Sequence, residues 1–126
     1  MSANPIAAVL IHVPDIAAGL AWYQKAFPEA VRKRLPEFDF EFLVVGAVNI
    51  EIVLADEKVL SGPFGSIVYW QVPELKAALQ HMQSIGATLY RGPMQIEEGL
   101  GMCQVRDPWG NCIGLRGPNQ LQEISP

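Results

Sequence analysis

Apolar and polar positions along this chain switch between two periods, and the switch occurs twice in the same order. Residues 6–13 are apolar and rich in β-branched side chains, which predicts a strand. Asp15 then stands where a helix N-cap belongs. Ile16, Leu20, Tyr23 and Phe27 recur on one helical stripe until Pro28 ends the run. A short extended piece at 31–35 leads into 38–45, where Phe38, Phe40 and Phe42 alternate with Asp39, Glu41 and Leu43. Gly46 marks a turn and 48–54 makes a further strand, so the first half reads β-α-β-β-β.

Residues 55–64 hold charges and a Ser-Gly-Pro run without periodicity, the pattern of a linker. A second strand–helix pair then opens at 66–72, with a helical stripe of Leu75, Leu79, Met82 and Ile85 closed by Gly86. Residues 87–90 predict a short strand and 93–101 a loop, whose Glu97-Glu98-Gly99 makes it a lid candidate. Strands at 102–106 and 111–116 flank Asp107-Pro108-Trp109-Gly110-Asn111. There Pro108 suits the second position of a turn and Gly110 supplies positive φ. The two halves also repeat literally. Val13-Pro14-Asp15-Ile16-Ala17-Ala18-Gly19-Leu20 returns 59 positions later as Val72-Pro73-Glu74-Leu75-Lys76-Ala77-Ala78-Leu79. A period this long, present in two copies, indicates fused modules rather than a stacked array. Modules at 6–54 and 65–117 together make one domain over 1–126.

The net charge of −4 argues against a nucleic-acid partner, which calls for a basic stripe. No segment reaches the roughly 20 apolar residues of a membrane-spanning helix, and the N-terminus lacks the pattern of a secretion signal. Cys103 and Cys112 flank the tight turn and are expected to be reduced, buried and inert. The expectation is a cytoplasmic protein with no nucleic-acid or membrane partner.

Strand alternation sorts the candidate chemistry. Val9, Ile11 and Val13 form one face of the first strand, and Ala8, Leu10 and His12 the other. In the repeat the faces are Val68, Trp70, Val72 and Ile67, Tyr69, Gln71. The valine-rich faces suit packing under the helices. His12 and Gln71 fall at equivalent places on the opposite faces, which line either a concavity or a solvated strand end. In 48–54, Ile50, Ile52 and Leu54 form a buried face while Asn49, Glu51 and Val53 point the other way. Alignment of the two halves sets Glu51 opposite Gly114. A carboxylate in mid-strand is solvated, paired or functional, because burial without a partner is costly.

These features resemble the vicinal oxygen chelate superfamily, which includes glyoxalase I, bleomycin-resistance proteins, fosfomycin-resistance enzymes and extradiol dioxygenases. The resemblance rests on the paired βαβββ modules and the Val-Pro-Asp helix start. It rests also on Ala21-Trp22-Tyr23-Gln24-Lys25-Ala26-Phe27 and on Asp107-Pro108-Trp109-Gly110-Asn111-Cys112-Ile113-Gly114-Leu115. It implies an α+β fold, two tandem βαβββ modules forming a curved mixed sheet around a groove with the helices outside, and a homodimer. The superfamily's metal enzymes take one ligand from each of four strands. The matching positions here are Ala8, Ile67 (with Ser66 beside it), Glu51 and Gly114. Glu51 alone carries a ligand, and a first-row catalytic metal needs about three. The expectation is therefore no metal and no other cofactor. His12 lies four residues beyond Ala8, about 13 Å along the strand, too far to share an ion with Glu51.

Three functions compete. The first is a metal-free small-molecule binder with Leu10, His12, Asn49, Glu51, Tyr69 and Gln71 around the ligand. The second is a glyoxalase-like lyase or isomerase with Glu51 as catalytic general base, although nothing evident replaces the metal that would support the oxyanion. The third is a dimeric module with no catalytic role.

Overall fold

In the computed structural model, which describes residues 5–119, the elements fall into two units divided between Ser61 and Gly62. The first contains β1 (Ala8–Val13), α1 (Ile16–Ala26), β2 (Val31–Leu35), β3 (Phe40–Val45) and β4 (Val48–Leu54). The second contains β5 (Val68–Gln71), α2 (Leu75–Ser84), β6 (Thr88–Glu97), β7 (Leu100–Arg106) and β8 (Cys112–Pro118). Each unit is a four-stranded mixed sheet, in the order β1-β4-β3-β2 and β5-β8-β7-β6. The first strand of each pairs parallel to the last, and the other pairs are antiparallel. The fold is α+β, two tandem βαβββ modules.

Both helices start as the repeat requires. The carboxylate of Asp15 accepts from the Ala18 N–H at 3.1 Å, and that of Glu74 from the Ala77 N–H at 3.3 Å. In α1 the buried residues are Gly19, Leu20, Trp22, Tyr23 and Ala26, an i, i+3, i+4, i+7 stripe. Ile16 lies outside it at the first turn and is 40% exposed. Gly19 lets the helix settle on its sheet, since a β-carbon there would stand 2.7 Å from Ile52 and 3.0 Å from Val13. Leu75 and Met82 anchor α2, and the fully buried Cys103, Val105 and Leu115 form the helix-side face of the second sheet.

Three expectations change. Residues 93–101 are not a lid: β6 runs through to Glu97 and pairs with β7, leaving Glu98 and Gly99 as the hairpin turn. Pro93 masked the strand in the sequence, and the ladder accommodates it by shifting register between Arg91 and Met94. The expected strand at 38–45 begins only at Phe40, because Pro36–Phe38 form a 3-10 turn and Asp39 takes a left-handed φ of 49°. Finally, Leu54 is 59% exposed and Val68 39% exposed, so the buried faces of β4 and β5 are shorter than alternation implies. Both residues sit at strand ends.

Candidate functional site

The face of the first sheet opposite α1 carries four of the six candidate residues. Ala8 pairs with Asn49, Leu10 with Glu51 and His12 with Val53, so Ala8 and His12 stand one row to either side of Glu51; the expected separation of His12 from Glu51 does not hold, because the register centres Glu51 on Leu10 rather than on Ala8. Glu51 is half-buried, between Leu10 on the neighbouring strand and Asn49 and Val53 along its own. Its carboxylate makes no hydrogen bond or ion pair among the described residues. Leu10 is 51% exposed, an apolar side chain presented on a sheet face. The His12 carbonyl accepts from the Ser61 hydroxyl at 2.6 Å, in the loop that follows β4. In that loop the N–H groups of Val59 and Lys58 hold the Asp56 carboxyl below its ordinary range, with a smaller pull from the His12 charge.

The second sheet carries the other two, Tyr69 and Gln71, paired with Gly114 and Arg116. The Leu10–Glu51 pair of one module thus corresponds to Tyr69–Gly114 in the other. The physical difference is large. A β-carbon on Gly114 would lie 2.6 Å from the Tyr69 ring, so the ring fills the space that any side chain at 114 would need. The ring is held there from two sides. Gln104, opposite Gly114 on β7 and 7% exposed, donates from Nε2 to the Tyr69 hydroxyl at 2.7 Å. The Arg116 guanidinium stacks over the ring, 4.9 Å from its centroid. Sequence reasoning missed Gln104 and Arg116. Counting alternate positions outward from the hairpin turn places both on the Gly114 face, so the signal was there.

That turn is tightly built. One oxygen of the buried Asp107 accepts from the N–H of Trp109 and of Asn111, each at 2.8 Å, and the other from Asn111 Nδ2 at 3.0 Å. Gly110 takes a φ of 95°, as the turn demands. Between this turn and the start of β6 opens a hollow of about 400 Å³ lined by Gly86, Thr88, Arg106, Asp107, Pro108, Trp109 and Gly110. None of the six expected binding residues lines it. Both thiols are free; Cys103 is buried as expected, whereas Cys112, at the start of β8, is only half-buried. Burial pushes Cys103 up to about 11, and burial also raises Cys112, against a smaller downward pull from Arg106 and Arg91.

The four positions to which the superfamily resemblance assigns metal ligands hold Ala8 and Glu51 in the first unit and Ile67 and Gly114 in the second. A methyl group, an isoleucine and a glycine offer no side-chain donor, and at 114 there is no room for one. This set does not fit a first-row metal. Among the described residues no group of three or more His, Cys, Asp or Glu side chains is placed to hold an ion.

Comparison with known proteins agrees with this architecture. The family model of the Glyoxalase/Bleomycin resistance protein/Dioxygenase superfamily matches residues 5–115. The chain belongs to this superfamily. No curated protein matches its sequence. Among solved structures, an integron cassette protein from the mobile metagenome of V. cholerae is 20% identical, with a TM-score of 0.71 over 93% of this chain and 97% of that one. A glyoxalase/bleomycin resistance protein/dioxygenase family enzyme from Burkholderia phytofirmans PsJN is also 20% identical, with a TM-score of 0.70 over 89% and 97%. A glyoxalase-related enzyme from Fulvimarina pelagi is 16% identical, with a TM-score of 0.71 over 91% and 88%. At these identities the likeness concerns the fold alone. No helix among the described residues is long and apolar enough to cross a membrane.

Proposed function

We propose that this member of the superfamily binds a small molecule without the divalent metal on which the superfamily's metal enzymes depend. The observation that carries the reading is the Tyr69 ring lying against Gly114, in the space where a ligating side chain at position 114 on β8 would stand. Leu10, His12, Asn49 and Glu51 on the first sheet mix apolar surface with a few polar groups, as ligand sites do, and Tyr69 and Gln71 do the same on the second. Two free thiols support a reducing, cytoplasmic setting. Large exposed apolar side chains, among them Phe38 at 74% and Phe64 at 76%, support a homodimer that would cover part of that surface. The test is elemental analysis of protein purified without chelator. Metal well below one equivalent is expected; stoichiometric zinc, nickel or iron that is lost in Glu51→Gln would overturn the reading.

A second reading has one observation in its favour. The half-buried Glu51 carboxylate has no partner among the described residues, which suits a general base. A glyoxalase-like lyase or isomerase would use it to take a proton beside a carbonyl. Isomerisation of the glutathione–methylglyoxal adduct by wild type, abolished in Glu51→Gln, would establish this alternative. The expected result is no turnover by either protein, because Asn49 and His12, the polar groups in the rows flanking Glu51, support a developing oxyanion less strongly than a metal would.

A further inference from the structure

The chain is acidic as a whole, yet three adjacent rows on one face of its second sheet are the reverse, and the first acid on that face, Glu97, stands in the row beyond them with Leu100 and Pro118. Strand register sets three adjacent rows on the face opposite α2. The middle row is Tyr69, Gly114, Gln104 and Arg91. The row toward the hairpin turn is Cys112, Arg106 and Thr88, and the row on the other side is Gln71, Arg116, Met102 and Met94. These rows hold three arginines and no aspartate or glutamate. None of the three arginines forms an ion pair with a carboxylate among the described residues. The nearest acid in sequence, Asp107, has its oxygens committed to the turn.

Two of the three arginines lie over aromatic rings, and none has a carboxylate partner among the described residues. Arg116 lies over the Tyr69 ring and Arg106 over the Tyr90 ring, 5.3 Å from its centroid, while Arg106 Nε donates to the Gly110 carbonyl at 3.1 Å. Stacking fixes the plane of a guanidinium and leaves its edge N–H groups for a planar or tetrahedral anion. The Tyr69 oxygen already accepts from Gln104, so its own proton is available to an acceptor. Arg91 and Arg106 act together on the Cys112 thiol, which puts both charges on the same stretch of the face. Arg106 and Thr88 also line the hollow beside the turn, which gives a bound group volume to enter. Arg116 stands four residues along β8 from Cys112, roughly 13 Å at the rise of a strand, with Arg91 in the row between.

We propose that this face receives an acidic group, carboxylate or phosphate, of a small-molecule ligand, through Arg91, Arg106 and Arg116 with the Tyr69 hydroxyl as a neutral donor. The proposal names the chemical class of the ligand in the binding reading above and rests on that reading. Its test is a titration of the full chain, followed by backbone amide chemical shifts at fixed ionic strength. Three ring-matched probes are used: phenyl phosphate, phenylacetate and benzylammonium. Saturable shifts centred on residues 69, 104 and 114 are expected for one or both anions and not for the cation. Response to phenyl phosphate alone or to phenylacetate alone identifies which acid the face prefers. Arg91→Gln and Arg116→Gln, each checked for an unchanged spectrum of the free protein, should weaken binding by at least about fivefold, and Arg32→Gln on the first sheet should not. Equal response to benzylammonium, shifts confined to other residues, or unchanged affinity in both arginine variants would overturn it. Elemental analysis of the same samples separates the two ideas. Stoichiometric metal defeats the metal-free reading, whereas insensitivity to the arginine variants defeats this one alone.

Discussion

Gly114 shows how much chemistry one missing side chain decides. Its partner strand fills the vacated space with a tyrosine ring, and that ring is held by an amide on one side and a guanidinium over its face. Adding even a methyl group must displace the ring from both partners. Gly114→Ala is therefore expected to lower stability by about 1–3 kcal/mol, measured by urea unfolding, whereas the same change at an open turn such as Gly99 would strain only its backbone. Gly114→Glu is expected to gain no metal affinity over wild type in a zinc titration, since one added carboxylate still leaves the set short of donors. At the same scale, Cys103 ties stability to pH. Its thiol ionises at about 11 in the fold against an ordinary 9.0, because burial disfavours the thiolate. The contribution is fully present below pH 9.0 and is lost as pH rises from there through about 11. The urea midpoint should fall across that window, and fall less in Cys103→Ala. At pH 8 an alkylating reagent should leave Cys103 unmodified until the protein is denatured.

At the scale of elements, the two halves reuse one strand–helix start with unequal caps. Asp15 is a preferred N-cap and Glu74 is not, since the longer side chain must curl back to reach the same N–H. Asp15→Ala should cost about 1 kcal/mol and Glu74→Ala less, measured by the same unfolding assay. The β7–β8 turn is costlier to disturb. Asp107 is 4% exposed and satisfies three donors, so Asp107→Ala should destabilise by about 2–3 kcal/mol by leaving those donors unpaired. The helix starts and this turn were legible because capping and turn chemistry are local. The length of β6 was not. Pro93 and Gly92 read as breakers, and only pairing with β7, through shifted register, makes 88–97 one strand. The exposure of Leu54 and Val68 escaped alternation for a related reason: a pattern of period two states which face a residue takes, not how far it is buried.

For the molecule as a whole, the duplication gives each module its own four-stranded sheet and its own helix. The faces opposite the helices then differ in charge. One carries Glu51, with Leu10 beside it and Asn49 and Val53 along its strand; the other carries three arginines in the three rows around that of Tyr69. A homodimer covering exposed apolar residues should run at about twice the monomer mass in light scattering, with phenylalanine-to-serine changes at Phe38 and Phe64 shifting it toward monomer. If those variants leave the mass unchanged, the apolar surface serves another purpose.

The sequence by itself determined the repeat, the order of elements, both helix starts and the hairpin turn. All of these depend on residue type and short spacing, where backbone geometry leaves few choices. Only the tertiary structure decided that Tyr69 occupies the space above Gly114, that Gln104 and Arg116 hold it there, and that Arg91, Arg106 and Arg116 share a face. Those facts arise from register between strands far apart in the chain, which pairing energies across the whole sheet settle and no local pattern records.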